Sequence, residues 1–148
     1  MKVLFITLPC RGWEGKPGKL PFPHTGVGYL VAYLKQKGIE SRILDTSLDF
    51  ANYQTNIREA VQKHSPDLVG ITIYSNIVNE ARDAAAEIRK NTQAPIVVGG
   101  PHISVTNKEF LELTGVEFGI MRDGEVPLYK LATALAKGGR DAEFSRIP

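Results

Sequence analysis

The side chains of this chain that could do chemistry are mostly neutral hydrogen-bonding groups, and they gather where apolar runs end. Thr72, Tyr74, Ser75 and Asn76 finish or follow the run that starts at Leu68. Gly99, Gly100, His102 and Ser104 follow Ile96-Val97-Val98, and Arg122-Asp123-Gly124-Glu125 follow the run from Val116 to Met121. Trp13 stands after the first apolar run. Hydroxyls, an amide, glycine backbone and aromatics suit a large ligand with many amide groups better than a small anion. No pattern pairs a nucleophile with a base. Cys10 is the single cysteine, so no disulfide framework, CxxC pair or cysteine cluster for zinc or iron and sulfur exists in this sequence. Of the histidines, His64 suits a helix carboxyl end, His24 precedes a helix cap, and His102 stands nearest a glycine pair. Glu125 suits the amino end of the last helix through the helix dipole, with a ligand role as the second reading.

Strands and helices must bring these groups together. Val3 to Leu8 is a near-continuous apolar run, the pattern of a strand covered on both faces. Pro9 to Pro23 is rich in glycine and proline and reads as a long loop, which in a small domain is usually functional. Thr25 is positioned to cap a helix that ends at Gly38. Strands follow at Ile39 to Asp45, Leu68 to Tyr74, Ile96 to Val98, which stops at the pair Gly99-Gly100 and a loop to Ser104, and Val116 to Met121. Helices lie between them near Tyr53 to His64, Val78 to Asn91 and Lys108 to Thr114, and a last one covers Val126 to Lys137. Alternation of this kind predicts an α/β fold of three layers, α/β/α, with a five-stranded parallel sheet in the flavodoxin-like or Rossmann-like order 2-1-3-4-5. Ligands of such sheets bind beyond the carboxyl ends of the strands, where all the groups above lie.

Composition narrows the class. The 148 residues suit one domain, and 18 Lys and Arg against 16 Asp and Glu leave a formal charge of only +2. Neither a nucleic acid nor a membrane partner is expected from that balance. No apolar run has a spanning length, and a cytoplasmic location is expected. Gly26-Val27-Gly28 lies too far beyond the first strand for a dinucleotide fingerprint. Gly12 to Gly18 lacks the Gly-Lys-Ser/Thr ending of a P-loop. Pro9-Cys10, Ser75-Asn76 and Arg122-Asp123 stand where a phosphoryl-accepting regulator needs acids and a lysine. Cys10-Arg11-Gly12-Trp13 is a poor flavin phosphate turn.

Taken in order, Pro66-Asp67-Leu68-Val69-Gly70-Ile71-Thr72, then Val97-Val98-Gly99-Gly100-Pro101-His102, then Arg122-Asp123-Gly124-Glu125 resembles the cobalamin-binding domain at the N-terminus of B12-dependent radical SAM enzymes. The proline-rich loop followed by Gly26-Val27-Gly28-Tyr29-Leu30 extends the resemblance over essentially the whole chain. The resemblance implies that Thr72, Tyr74, Ser75, Asn76, Gly99, Gly100, His102, Gly124 and Glu125 contact the corrinoid and its nucleotide tail. At Gly99 and Gly100 the expected reason is room, since a side chain there would stand where a flat ring approaches backbone. Relatives that ligate cobalt with a histidine carry Asp-x-His-x-x-Gly just after the first strand. Pro9 to Gly15 holds no histidine, so no lower axial histidine and no metal ligand are expected there.

The function implied is a cobalamin-binding module, residues 1–148, forming the N-terminal part of a longer enzyme of the methyltransferase type. S-adenosylmethionine and an iron-sulfur cluster would belong to a radical SAM domain in cis, and no residue of this chain is expected to be catalytic. The alternative is a flavodoxin-like module that binds a flavin or nucleotide, or a regulatory interaction domain using the same edge.

Overall fold

The computed structural model describes residues 1–11, 17–18, 24–47, 49–106 and 108–138. The main strands are β1 (Lys2–Thr7), β4 (Glu40–Asp45), β5 (Leu68–Thr72), β6 (Ile96–Gly99) and β7 (Phe118–Gly119). They form one parallel sheet in the order β4-β1-β5-β6-β7, the expected 2-1-3-4-5 arrangement counted along the chain. Short β2 (Cys10–Arg11) and β3 (Pro17–Gly18) pair antiparallel within the stretch expected to be a loop throughout. The helices are α1 (Thr25–Gln36), α2 (Tyr53–His64), α3 (Val78–Asn91), α4 (Pro101–Thr106), α5 (Glu109–Thr114) and α6 (Glu125–Gly138).

Alternating residues of the strands feed two cores. Leu4, Ile6, Val69, Ile71, Ile96 and Val98 point to one face, against Ile57 and Val61 of α2 and Ala81, Ala84, Ala85 and Ile88 of α3. The alanines let α3 lie close to the sheet. Val3, Phe5, Leu68 and Val97 point to the other face, against Val27 and Leu34 of α1 and Leu128, Leu131 and Ala132 of α6. On that second face Gly70 and Gly99 contribute no side chain, and each stands beside a paired neighbour, Val97 and Thr72 respectively. A gap in the second core follows from those two positions.

Several local expectations change. Helix α1 is capped by His24, without a side-chain hydrogen bond, and Thr25 is already helical. Thr25 therefore does not perform the capping role its type suggests. The third strand stops at Thr72, because Ser75–Ile77 turn as a short 3₁₀ helix. The fifth strand is reduced to Phe118–Gly119, since β6 offers only Val97 and Val98 as partners. Pro101 to Thr106, which overlaps the loop expected from Gly99 to Ser104, forms a short helix directly behind the glycine pair.

Polar clamps hold the amino-terminal edge of the sheet. The Lys2 amide donates to Asp67 Oδ2 at 2.7 Å and the Lys2 ammonium to the His64 carbonyl at 3.0 Å. Glu117 accepts the Ile96 amide at 3.0 Å and pairs with Arg89, whose guanidinium also donates to the Ala94 carbonyl at 2.9 Å. These contacts tie α2, α3, β1, β5, β6 and the approach to β7 at the end opposite the glycine pair.

Candidate functional site

A cavity of about 260 Å³ opens at the carboxyl edge of the sheet, between the sheet and helices α1 and α6. It occupies the gap on the second face. Phe5, Val27, Leu30, Val97 and Leu128 give it an apolar wall, and His24, Thr72, Tyr74, Arg122, Asp123 and Glu125 add polar groups to the lining. Ile6, Ile71 and Val98 belong to the opposite core, so they meet the cavity through backbone engaged in the ladders. The result is an apolar slot with a polar rim.

The glycines that shape it do so for different reasons. A Cβ on Gly99 would meet only the Ile120 carbonyl, at 3.5 Å, an ordinary contact, so that position borders open room. Gly100 has φ +102°, and a Cβ there would come within 2.7 Å of the Ile73 carbonyl and 3.0 Å of the Ile73 nitrogen and Thr72 Oγ1. Gly100 is thus required by the turn itself, where the His102 amide returns to the Ile73 carbonyl at 3.2 Å. The room argument made for both glycines applies to Gly99, and the reason for Gly100 lies inside the fold. Gly70 admits the Phe5 ring, whose nearest carbons would lie 2.8 and 3.0 Å from an added Cβ. Phe5 thereby leans over β5 and floors the slot.

The expected site residues divide. Thr72, Tyr74, Gly99, Gly100, Gly124 and Glu125 line the cavity. Ser75, Asn76 and His102 do not, and they sit beside its mouth. Ser75 Oγ and His102 Nδ1 are 3.2 Å apart, which joins the loop after β5 to α4. Ser104 accepts the Arg122 amide at 2.9 Å and bonds the Gly100 carbonyl at 3.3 Å, holding Arg122 at φ 62°. Trp13 lies outside the described residues. Sequence reasoning missed Phe5, Val27, Leu30 and Leu128, which carry no polar signal, and Gly70, which sits inside an apolar run.

A second polar group lies at the same edge. Thr7 and Asp45 are register partners on β1 and β4. Asp45 Oδ1 accepts from Thr7 Oγ1 at 2.8 Å, from the Ser47 hydroxyl at 2.5 Å and from the Ser47 amide at 3.0 Å. Burial by itself would raise the Asp45 carboxyl, but the Ser47 hydroxyl and amide and the Thr7 hydroxyl outweigh it and hold the group below its ordinary range. His24, nearby, is driven mainly by burial to a lowered pKa, against the opposing pull of Asp45. Burial thus favours the neutral imidazole, and its Nε2 is buried with no hydrogen-bond partner among the described residues. The His24 and Tyr74 rings lie 5.9 Å apart.

Among the described residues no group of three or more His, Cys, Asp and Glu could hold a metal ion. No helix among them is long and apolar enough to cross a membrane. The lining offers binding: an apolar slot for a ring, polar and charged groups around it, and the exposed Tyr74 at its edge.

Comparison with known proteins gives the site a context. The family model described as the B12 binding domain matches residues 19–132. A tryptophan 2-C-methyltransferase of Streptomyces laurentii is 28% identical over 138 residues, 86% of this chain and 23% of that protein. An uncharacterized methyltransferase of Pyrococcus horikoshii is 26% identical over 141 residues, 93% of this chain and 30% of that protein. The radical S-adenosylmethionine methyltransferase TsrM of Kitasatospora setae, solved with cobalamin and a 4Fe–4S cluster bound, superposes with a TM-score of 0.81 at 29% identity. That match covers 93% of this chain and 25% of TsrM. The methanol:cobalamin methyltransferase complex of Methanosarcina barkeri, at 18% identity and a TM-score of 0.68, shares the fold. The chain spans about a quarter of the length of the curated relatives it matches.

Proposed function

The chain belongs to the B12-binding domain family, and from that membership and the cavity we propose that it binds cobalamin and presents it to a radical SAM domain for methyl transfer. The observation that carries this reading is the slot opened by Gly70 and Gly99 on the face of the sheet that packs α1 and α6. Its volume of about 260 Å³ is below the roughly 300–1,000 Å³ that encloses a whole drug-sized ligand. It therefore suits one arm of a cofactor, with the macrocycle left at the mouth. Gly99 leaves the space, and His24 Nε2, without a partner among the described residues, leaves a polar group to satisfy, so the residues present fit a corrinoid with an inserted nucleotide tail.

In this reading Phe5, Val27, Leu30, Val97 and Leu128 would give the bound cofactor apolar contact, Thr72, Tyr74, Gly99, Gly100, Gly124 and Glu125 would hold it along the carboxyl edge of the sheet, and Ser75, Asn76 and His102 would reach it from beside the cavity. When bound, the corrinoid supplies a cobalt centre able to carry a methyl group. The protein residues bind, orient and exclude water, and none of them is asked to transfer a proton. S-adenosylmethionine and the iron-sulfur cluster belong, in this proposal, to the partner domain; TsrM itself was solved with a SAM analog and with a 4Fe–4S cluster.

The experiment is to mix the purified chain with hydroxocobalamin or with FMN, desalt, and record the visible spectrum. Corrinoid absorption that elutes with the protein supports the proposal. Retention of FMN without corrinoid would refute it in favour of a flavodoxin-like module. For the partnership, a CxxxCxxC motif encoded with this domain is the expected finding, and its absence from the same polypeptide and from neighbouring genes would count against a radical SAM partner.

A further inference from the structure

We propose that two copies of this chain pair antiparallel along β4, edge to edge, in the register that sets Glu40 of each copy opposite Arg42 of the other. β4 ends the sheet and bonds only β1, so one side of its backbone has no ladder partner. The Thr46 amide takes the Thr7 carbonyl at 3.1 Å, and Thr7 is the register partner of Asp45. In a parallel ladder alternate residues turn both backbone groups to the same neighbour. Glu40, Arg42 and Leu44 therefore bond β1, while Ser41 and Ile43 turn their amides and carbonyls outward. The strand is six residues long, and Glu40, Arg42 and Ile43 are open to solvent, Ile43 at 45%. An exposed edge of that length is a template for another strand.

The sequence of the edge selects a second copy as that strand. Ile39-Glu40-Ser41-Arg42-Ile43 has the same residue classes from either end, with opposite charges at the matched positions. A two-fold axis through Ser41, normal to the sheet, sets Ser41 against Ser41, Glu40 against Arg42 twice, and Ile39 against Ile43 twice. The outward backbone groups of the two Ser41 residues then meet as a hydrogen-bonded antiparallel pair. Glu40 and Arg42 fall at the flanking positions, where side chains approach more closely and opposite charges attract. Both stand on one face of the strand, where they already contact each other at 3.4 Å within a copy. Moving the axis by one residue, to Arg42 or to Glu40, sets like charges directly opposite, so the charges disfavour both neighbouring registers. β4 contributes no residue to the cavity lining, so the pairing draws on a surface separate from the candidate site. Five residues from each copy bury less than the roughly 1,200 Å² of a standard interface, so the dimer dissociates in the micromolar to millimolar range.

Sedimentation equilibrium of the unaltered chain, from micromolar to millimolar concentration, is expected to show monomer passing to dimer and nothing larger, since a two-fold axis closes the pair. A monomer throughout would overturn the proposal and leave the edge to a strand of different sequence. Arg42→Glu and Glu40→Arg each set like charges opposite at two points, and each is expected to weaken the dimer at least tenfold. The double variant Glu40→Arg/Arg42→Glu restores the match with the signs exchanged, and its dimer affinity is expected to return to within threefold of the unaltered chain. Circular dichroism reports the fold of each variant. A dimer that the single reversals leave unchanged, or that the double exchange fails to recover in a folded protein, would place the interface on another surface and overturn the pairing along β4.

Discussion

Gly99 and Gly100 are adjacent, yet substitution at each is expected to damage a different property. In Gly99→Val the first added carbon meets the Ile120 carbonyl at about the 3.5 Å found for an ideal Cβ, and no positive φ opposes it. The β-branched residue also suits the end of a strand, so the fold should change by less than about 1 kcal/mol. Its methyl groups, however, enter the slot. Overpacking against a bound base costs about 1–3 kcal/mol, and each CH₂ of ligand displaced from burial forfeits about 0.8 kcal/mol. Together these give about 3 kcal/mol, or on the order of a hundredfold in corrinoid affinity. In Gly100→Ala the added carbon lies 2.7 Å from the Ile73 carbonyl, at φ +102°. Left-handed backbone costs an L-residue about 1–2 kcal/mol and the overlap a further 1–3 kcal/mol or so. With a urea slope of about 2 kcal/mol per molar for a small domain, the unfolding midpoint should fall by roughly 1–2.5 M. Urea unfolding followed by circular dichroism, beside a corrinoid titration of each variant, provides the two readings. The reasoning is refuted if Gly99→Val keeps wild-type affinity in a folded protein, or if Gly100→Ala unfolds at the wild-type midpoint.

Gly70→Ala should affect both properties together, because the new carbon would displace the Phe5 ring toward the slot: a loss of about 1–3 kcal/mol in stability and weaker corrinoid binding, seen in the same two assays. Asp45→Asn should be less stable than wild type at pH 7. The folded-state pKa of Asp45 lies below its unfolded value, so its contribution is present above the unfolded carboxyl pKa and is lost as pH falls through the lowered folded value. Urea midpoints of the two proteins should accordingly converge in strong acid, and a gap that persists there would assign the loss to packing.

Much of the fold was legible because fully apolar runs alternate with amphipathic ones, and that alternation leaves little choice of topology. Val3 to Leu8 and Ile96 to Val98 announce central strands by composition alone. The direction of each residue within such a run is not announced, since both faces are buried and both are apolar. Gly70 therefore looked like one more member of a strand, although its missing side chain on the α1 and α6 face helps to open the cavity. Phe5, Val27, Leu30 and Leu128 were invisible as site residues for the same reason: an apolar wall and an apolar core use one vocabulary. The polar rim was easier, because Thr72, Tyr74, Gly124 and Glu125 break the apolar pattern. Thr25 misled because capping depends on the backbone just before the helix, where His24 took the position. Ser75 and His102 were placed at the right edge, but their mutual contact depends on a short helix at Pro101 that six residues alone do not reveal.

The clamps made by Lys2, Asp67, Arg89 and Glu117 lie at the amino-terminal edge of the sheet, away from the slot. Integrity of the domain and recognition of its ligand are thus placed at opposite ends of the same strands. A lineage can rework the lip around Tyr74, Ser104, Met121 and Val126 to meet a new neighbour without loosening the clasp that keeps the sheet registered. For an engineer the same separation marks the carboxyl-edge loops as ground for grafting, and the Glu117 clasp as the part to leave alone.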